Sequence, residues 1–102
     1  MAARRTPGRG VPASAVDLER SLAEEGLRDP RSWSNVAGDT YGWHDHPYHK
    51  VLYCAEGGIT FHLRDGDVEL GEGDRLDIEP GTEHAATVGP GGVTCVEAPR
   101  PA

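Results

Sequence analysis

The sequence predicts an all-β fold, a small antiparallel β-barrel or jelly roll with one short N-terminal helix. Three observations lead there. After Pro30, short runs rich in β-branched and aromatic residues alternate with turn residues at intervals of about 8–12 positions. Within the runs, apolar and polar residues alternate: Ile59, Phe61 and Leu63 share one face, and Thr60, His62 and Arg64 share the other. The composition, 14 glycines and 8 prolines against 36% hydrophobic residues, suits a chain that turns often and buries little surface per segment. Many short antiparallel strands avoid long exposed edges by closing into a barrel or jelly roll.

Taken in order, residues 1–12 read as a flexible basic tail. Arg4, Arg5 and Arg9 stand among Gly, Pro and Thr, and the segment lacks the apolar core of a secretory leader. Cytoplasmic location is the matching expectation. Residues 13–31 hold the helix and a linker. Ser14 is the N-cap, Asp17 and Glu19 occupy the first turn, Ala15, Leu18 and Leu22 recur at helical spacing, and Gly26 follows, which predicts a helix over Ala15–Glu25.

The β-domain spans residues 32–98. Strands are expected at Ser32–Val36, Tyr41–His44, Val51–Ala55, Ile59–Leu63, Asp67–Leu70, Arg75–Ile78, Ala85–Val88 and Val93–Ala98. The turns between them are expected at Gly57-Gly58, Asp65-Gly66, Gly71-Glu72-Gly73, Pro80-Gly81 and Pro90-Gly91-Gly92. The strongest hairpin signal is Arg64-Asp65-Gly66-Asp67. At 102 residues the chain is long enough for one domain with one core.

A net charge of −7 and a pI near 5.1 argue against nucleic acid and anionic membranes as partners. No apolar run approaches the roughly 18 residues of a membrane span. Cys54 and Cys95 lie in apolar surroundings without a CxxC spacing, so both are expected to be buried, reduced thiols.

The stretch Trp43-His44-Asp45-His46-Pro47-Tyr48-His49-Lys50 concentrates three of the five histidines. On an extended strand His44 and His46 project from one face with β-carbons roughly 6.5–7 Å apart, which suits two ligands converging on one ion. His84 follows the turn Pro80-Gly81-Thr82-Glu83 and opens a strand, where it can be aimed inward. His49 has the opposite parity, but Pro47 interrupts the strand and leaves it free to swing in as a fourth ligand. His62 sits on the polar face and is expected to be exposed. Tyr48, in the loop, is the best aromatic candidate for ligand contact, with Tyr41 beside the pocket; Trp43 and Tyr53 are expected to pack in the core or at a dimer interface. Imidazole ligands suit zinc, iron, nickel, copper and manganese alike, so the residues do not select the ion.

These residues fall into an arrangement that resembles the cupin superfamily, specifically its small single-domain bacterial members. The family's first motif is matched by Gly38, five residues, His44-Asp45-His46, three residues, Lys50, six residues and Gly57. The second is matched by Gly73, five residues, Glu79-Pro80-Gly81, two residues, His84, three residues and Val88. The resemblance implies a small β-barrel, often a homodimer, with a divalent metal held by His44, His46 and His84 above a pocket for a small molecule; dioxygenase and isomerase activities occur in similar proteins. Glu79 replaces a proline of the pattern and Val88 an asparagine. Lys50 replaces its glutamate, and an ammonium within about 4–6 Å of a divalent cation opposes binding. Two outcomes follow from that departure. In one, the histidines bind a transition metal with open positions for water or substrate; in the other, the pocket is a metal-free binding or sensing module in which Lys50 and protonated histidines attract a small anion.

Overall fold

The computed structural model describes residues 2–8 and 14–100. They form strand β1 (Ala3–Thr6), helix α1 (Ala15–Glu24), β2 (Arg31–Asn35), β3 (Thr40–His44), β4 (His49–Leu63), β5 (Gly66–Leu70), β6 (Arg75–Ile78) and β7 (His84–Arg100). All pairings are antiparallel.

The helix starts where its capping chemistry places it. The Ser14 hydroxyl accepts from the Asp17 amide at 3.1 Å, satisfying one of the amides that the first turn leaves free. Leu18 and Leu22, with Leu27 beyond the helix, bury against Val51, Ala55, Val96 and Ala98. Odd-numbered β4 residues before the bend and even-numbered β7 residues after it therefore face the helix. The opposite parity, including Leu52, Cys54, Val93 and Cys95, faces the main core with Ile59, Phe61, Leu76 and Ile78. Both cysteines are free and buried and lie opposite each other across the β4–β7 ladder.

Two features differ from the sequence expectation. The first is continuity: Val51–Ala55 and Ile59–Leu63 are halves of one 15-residue strand, and Ala85–Val88 and Val93–Ala98 are halves of one 17-residue strand. Gly57-Gly58 and Pro90-Gly91-Gly92 do not reverse the chain. They lie at one level of the β4–β7 ladder, where the register shifts between Cys54/Glu56 and again between Gly57/Ile59, and the two strands bend together. Gly57 has φ of 72°, and a β-carbon there would lie 2.0 Å from the Gly92 carbonyl oxygen. Only glycine allows this close crossing.

The second is the N-terminus. Ala3–Thr6, read from composition as tail, pairs with β6 from Ala3↔Ile78 to Thr6↔Arg75. The segment is anchored by Arg5 and the Gly8 amide, both donating to Asp74, at 3.0 and 2.7 Å. A β6 edge lacking backbone partners can recruit a polar segment with little apolar content of its own, so composition misses it. Residue 1 and residues 9–12 of the expected tail lie outside the described residues.

The bend folds the sheet over itself. One half has the order β1-β6-β4-β7-β2, and the other is built by β5 on β4 and β3 on β7. The result is a jelly-roll-like sandwich, and the sheet does not close as the barrel expectation required: among the described residues no backbone ladder joins β2 to β3 or β5 to β6. Side chains span the first gap. Trp33 meets Tyr41 edge-on at 5.8 Å between ring centroids, and the Tyr41 hydroxyl donates to Asn35 Oδ1. The β4–β5 hairpin turns through Arg64-Asp65, as its sequence signal indicates.

Candidate functional site

The bend opens a cavity of about 310 Å³ between the two halves of the sheet. Its floor and walls are apolar, from Leu52, Ile59, Phe61 and Ala86, and its polar groups are His44, His46, His84, Lys50 and Glu97, with Trp33 and Tyr41 alongside. That combination, apolar walls with a few convergent polar groups, is the usual make-up of a small-molecule site, at the lower end of the usual size.

Each imidazole is delivered by a different local device. His44 ends β3 opposite His84, the first residue of β7. His46 follows in the loop, where its carbonyl accepts from the Gly81 amide at 2.8 Å and ties the two motif segments together. The ring centroids lie 4.3 Å (His44–His84), 4.9 Å (His44–His46) and 5.3 Å (His46–His84) apart. One nitrogen from each ring falls within 4.8 Å of the others.

The hydrogen bonds determine which nitrogens face inward. His44 Nδ1 donates to the Gly42 carbonyl at 2.7 Å, and His84 Nδ1 donates to the Thr82 carbonyl at 2.8 Å. A carbonyl only accepts, so both rings carry a proton on Nδ1, and Nε2 is the nitrogen each has left for a ligand. His46 Nε2 is buried without a hydrogen-bond partner among the described residues. Burial holds the pKa of His46 and of His84 below the ordinary histidine value, and the Lys50 ammonium pushes both in the same direction. Neutral rings with outer N–H groups bound to carbonyls are the form in which histidine ligates metals. The residues present fit a divalent transition ion.

His49 is not part of this group. It faces the helix side of β4 with its Nε2 2.9 Å from Asp77 Oδ1, so the swing that Pro47 was expected to allow does not bring it inward. His62 lies on the outer face, half-buried rather than fully exposed, between Asp67 and Thr87 at 2.8 Å each. Tyr41 lines the cavity. Tyr48, expected at the pocket, does not line it; its ring stacks on His46, with centroids 5.1 Å apart. Trp43 leaves the core altogether and lies 44% exposed, with the Arg64 guanidinium 3.8 Å above its ring. Tyr53 packs toward the helix and accepts from Arg75.

Lys50 lines the cavity, but it is not alone there. Its Nζ lies 3.2 Å from Glu97 Oε2, and Trp33 Nε1 donates to Glu97 Oε1 at 2.6 Å. Glu97 and Trp33 went unnoticed in the sequence. A signal was present: Glu97 shares parity with Val93 and Cys95, so the alternation of β7 puts a carboxylate on the core-facing side.

Fold and cluster together define a folded-over antiparallel sheet with an imidazole-lined pocket between its halves. Residues 35–96, more than half of the chain, match the family model described as Cupin domain, and the chain belongs to the cupin family. Among solved structures, a DUF861 family protein from Thermotoga maritima aligns with a TM-score of 0.68 at 13% identity, covering 97% of this chain and 100% of that one. A cupin-2 domain protein from Shewanella frigidimarina aligns with a TM-score of 0.59 at 22% identity, covering 72% and 74% of the two chains. These two likenesses concern the fold alone. A chain from the crystal structures of DMSP lyases aligns with a TM-score of 0.61 at 27% identity, covering 72% of this chain and 37% of that one. Among curated proteins none matches.

Proposed function

We propose that His44, His46 and His84 bind a divalent transition metal ion and that the cavity above them takes a small organic molecule. The observation that carries this reading is the convergence of three imidazoles, two with their outer nitrogens fixed by carbonyls and the third with a buried nitrogen lacking a partner among the described residues. A buried polar atom without a hydrogen bond costs about 1–3 kcal/mol, and a ligated ion removes that cost. When bound, such an ion supplies Lewis-acid or oxygen-activating chemistry. The chain's own residues fix two of the imidazoles through backbone carbonyls, exclude water with Leu52, Ile59 and Phe61, and leave room for a ligand beside Trp33 and Tyr41.

The metal-free alternative, with Lys50 attracting a small anion, is the weaker reading, because the ammonium is already paired with Glu97. DMSP is the first substrate to offer, given the likeness to the DMSP lyase chain over 72% of this chain. Calorimetric titration of the chelator-stripped chain with zinc tests the metal site directly. One ion per chain is expected, with binding abolished in His46→Ala; binding that survives this substitution would place the ion elsewhere.

A further inference from the structure

The cluster is offset by a charge that does not belong in a cation site. Lys50 lines the same cavity as the three imidazoles and occupies the place where the family pattern has a carboxylate. A free ammonium there would repel an incoming dication, and three imidazoles bring no negative charge to offset it.

The fold supplies the missing charge from another strand. In the β4–β7 ladder Lys50 faces Pro99 and Leu52 faces Glu97, so Lys50 and Glu97 are diagonal neighbours on the inward face. Each Glu97 oxygen has its own donor, Lys50 Nζ on one and Trp33 Nε1 on the other. Both side chains are largely shielded, at 14% exposed for Lys50 and 21% for Glu97. Two donors from two different strands fix the carboxylate, and the carboxylate in turn holds the ammonium.

Resting on the metal reading above, we propose that Glu97 is the positioning residue that lets the histidine cluster accept a cation. It acts through Lys50, cancelling the ammonium's charge and holding it in a pair on the cavity wall. In this chain the acidic group of the pocket has moved from β4 to β7, and Lys50 and Glu97 work as a unit.

A double-substitution cycle, read as zinc affinity by calorimetry, tests the unit. Glu97→Gln keeps the shape of the side chain but strips Lys50 of its counter-charge, and it is expected to weaken zinc binding about tenfold, the effect of one uncompensated charge in the same partly screened pocket. Lys50→Met should bind at least as tightly as the native chain. The double variant Lys50→Met/Glu97→Gln should return to within about twofold of native, a rescue that a merely structural role for Glu97 would not produce. If Glu97→Gln fails to fold, Lys50→Met still decides: weaker binding than native overturns the proposal. Native affinity in Glu97→Gln, or a double variant as weak as Glu97→Gln alone, overturns it while leaving the metal site in place. A native chain that takes up no zinc overturns the metal reading and this one with it.

Discussion

At the scale of single residues, the imidazoles divide by what their outer nitrogens touch. His44 and His84 are locked by carbonyls and present the opposite nitrogen to the cavity, whereas His62 has both nitrogens engaged on the outer face. His84→Ala should therefore lower zinc affinity by about a hundredfold or more, beyond the range typical of outer-shell partners, and His62→Ala should leave it unchanged. Titrations of the two variants side by side check this; equal losses would mean that the ion does not sit between β3 and β7. The nearness of His44 and His46 was legible from their spacing, although β3 ends at His44 and His46 reaches the cavity from the loop rather than from the same strand face. The placement of His49 was not, because its side chain answers to Asp77, 28 positions away in sequence.

At the scale of elements, the two long strands carry the design. β4 and β7 each serve both halves of the sheet, and their common bend at Gly57 and Gly92 creates the space in which the cavity lies. Gly57→Ala forces a β-carbon against the Gly92 carbonyl and strains a backbone at positive φ. The expected cost is about 2–4 kcal/mol of stability, measured by urea unfolding, with loss of zinc binding if the halves splay. A variant as stable as the native chain would show that the crossing is looser than the geometry states. Glycine clusters read as turns in the sequence because reversal and bending use the same backbone freedom; the partner strand at the same level decides between them. β1 was hidden for a related reason. Its strand character comes from the β6 edge and from Asp74, which binds Arg5 and the Gly8 amide, while its own four residues carry almost no hydrophobic signal.

At the scale of the whole molecule, charge ties the N-terminal strand and the helix to the sheet. Burial opposes ionisation of Asp74, but the Gly8 and Gly71 amides and Arg5 outweigh it and hold its pKa below 3.8. Burial likewise opposes ionisation of Asp77, and Arg75 and His49 outweigh it. Glu25, at the end of the helix, is held below 4.5 chiefly by its hydrogen bonds from Arg75. Lowered carboxylate pKa values give stability that is complete above the unfolded-chain values and is lost as pH falls through the folded ones. His46 and His84 act in the same direction, since below about pH 6.5 the unfolded chain takes up protons that these folded rings resist. Urea unfolding from pH 7 to pH 3 should therefore show stability declining from about pH 6.5 and falling further below about pH 4; a flat profile would mean that these contacts do not persist in solution. No helix among the described residues is long and apolar enough to cross a membrane.

The sequence by itself determined the helix and its cap, the strand-rich character of the chain, the family resemblance and, through that resemblance, His44, His46 and His84 as candidate ligands. Each of these rests on local periodicity or on motif spacing, which a linear chain displays openly. Only the tertiary structure decided that the sheet folds over without closing, that the N-terminal segment joins it, that His49 turns outward and that Lys50 meets Glu97. Those outcomes depend on which distant residues share a face, and that is set by strand register, since a shift of one residue moves a side chain from the core to the opposite surface.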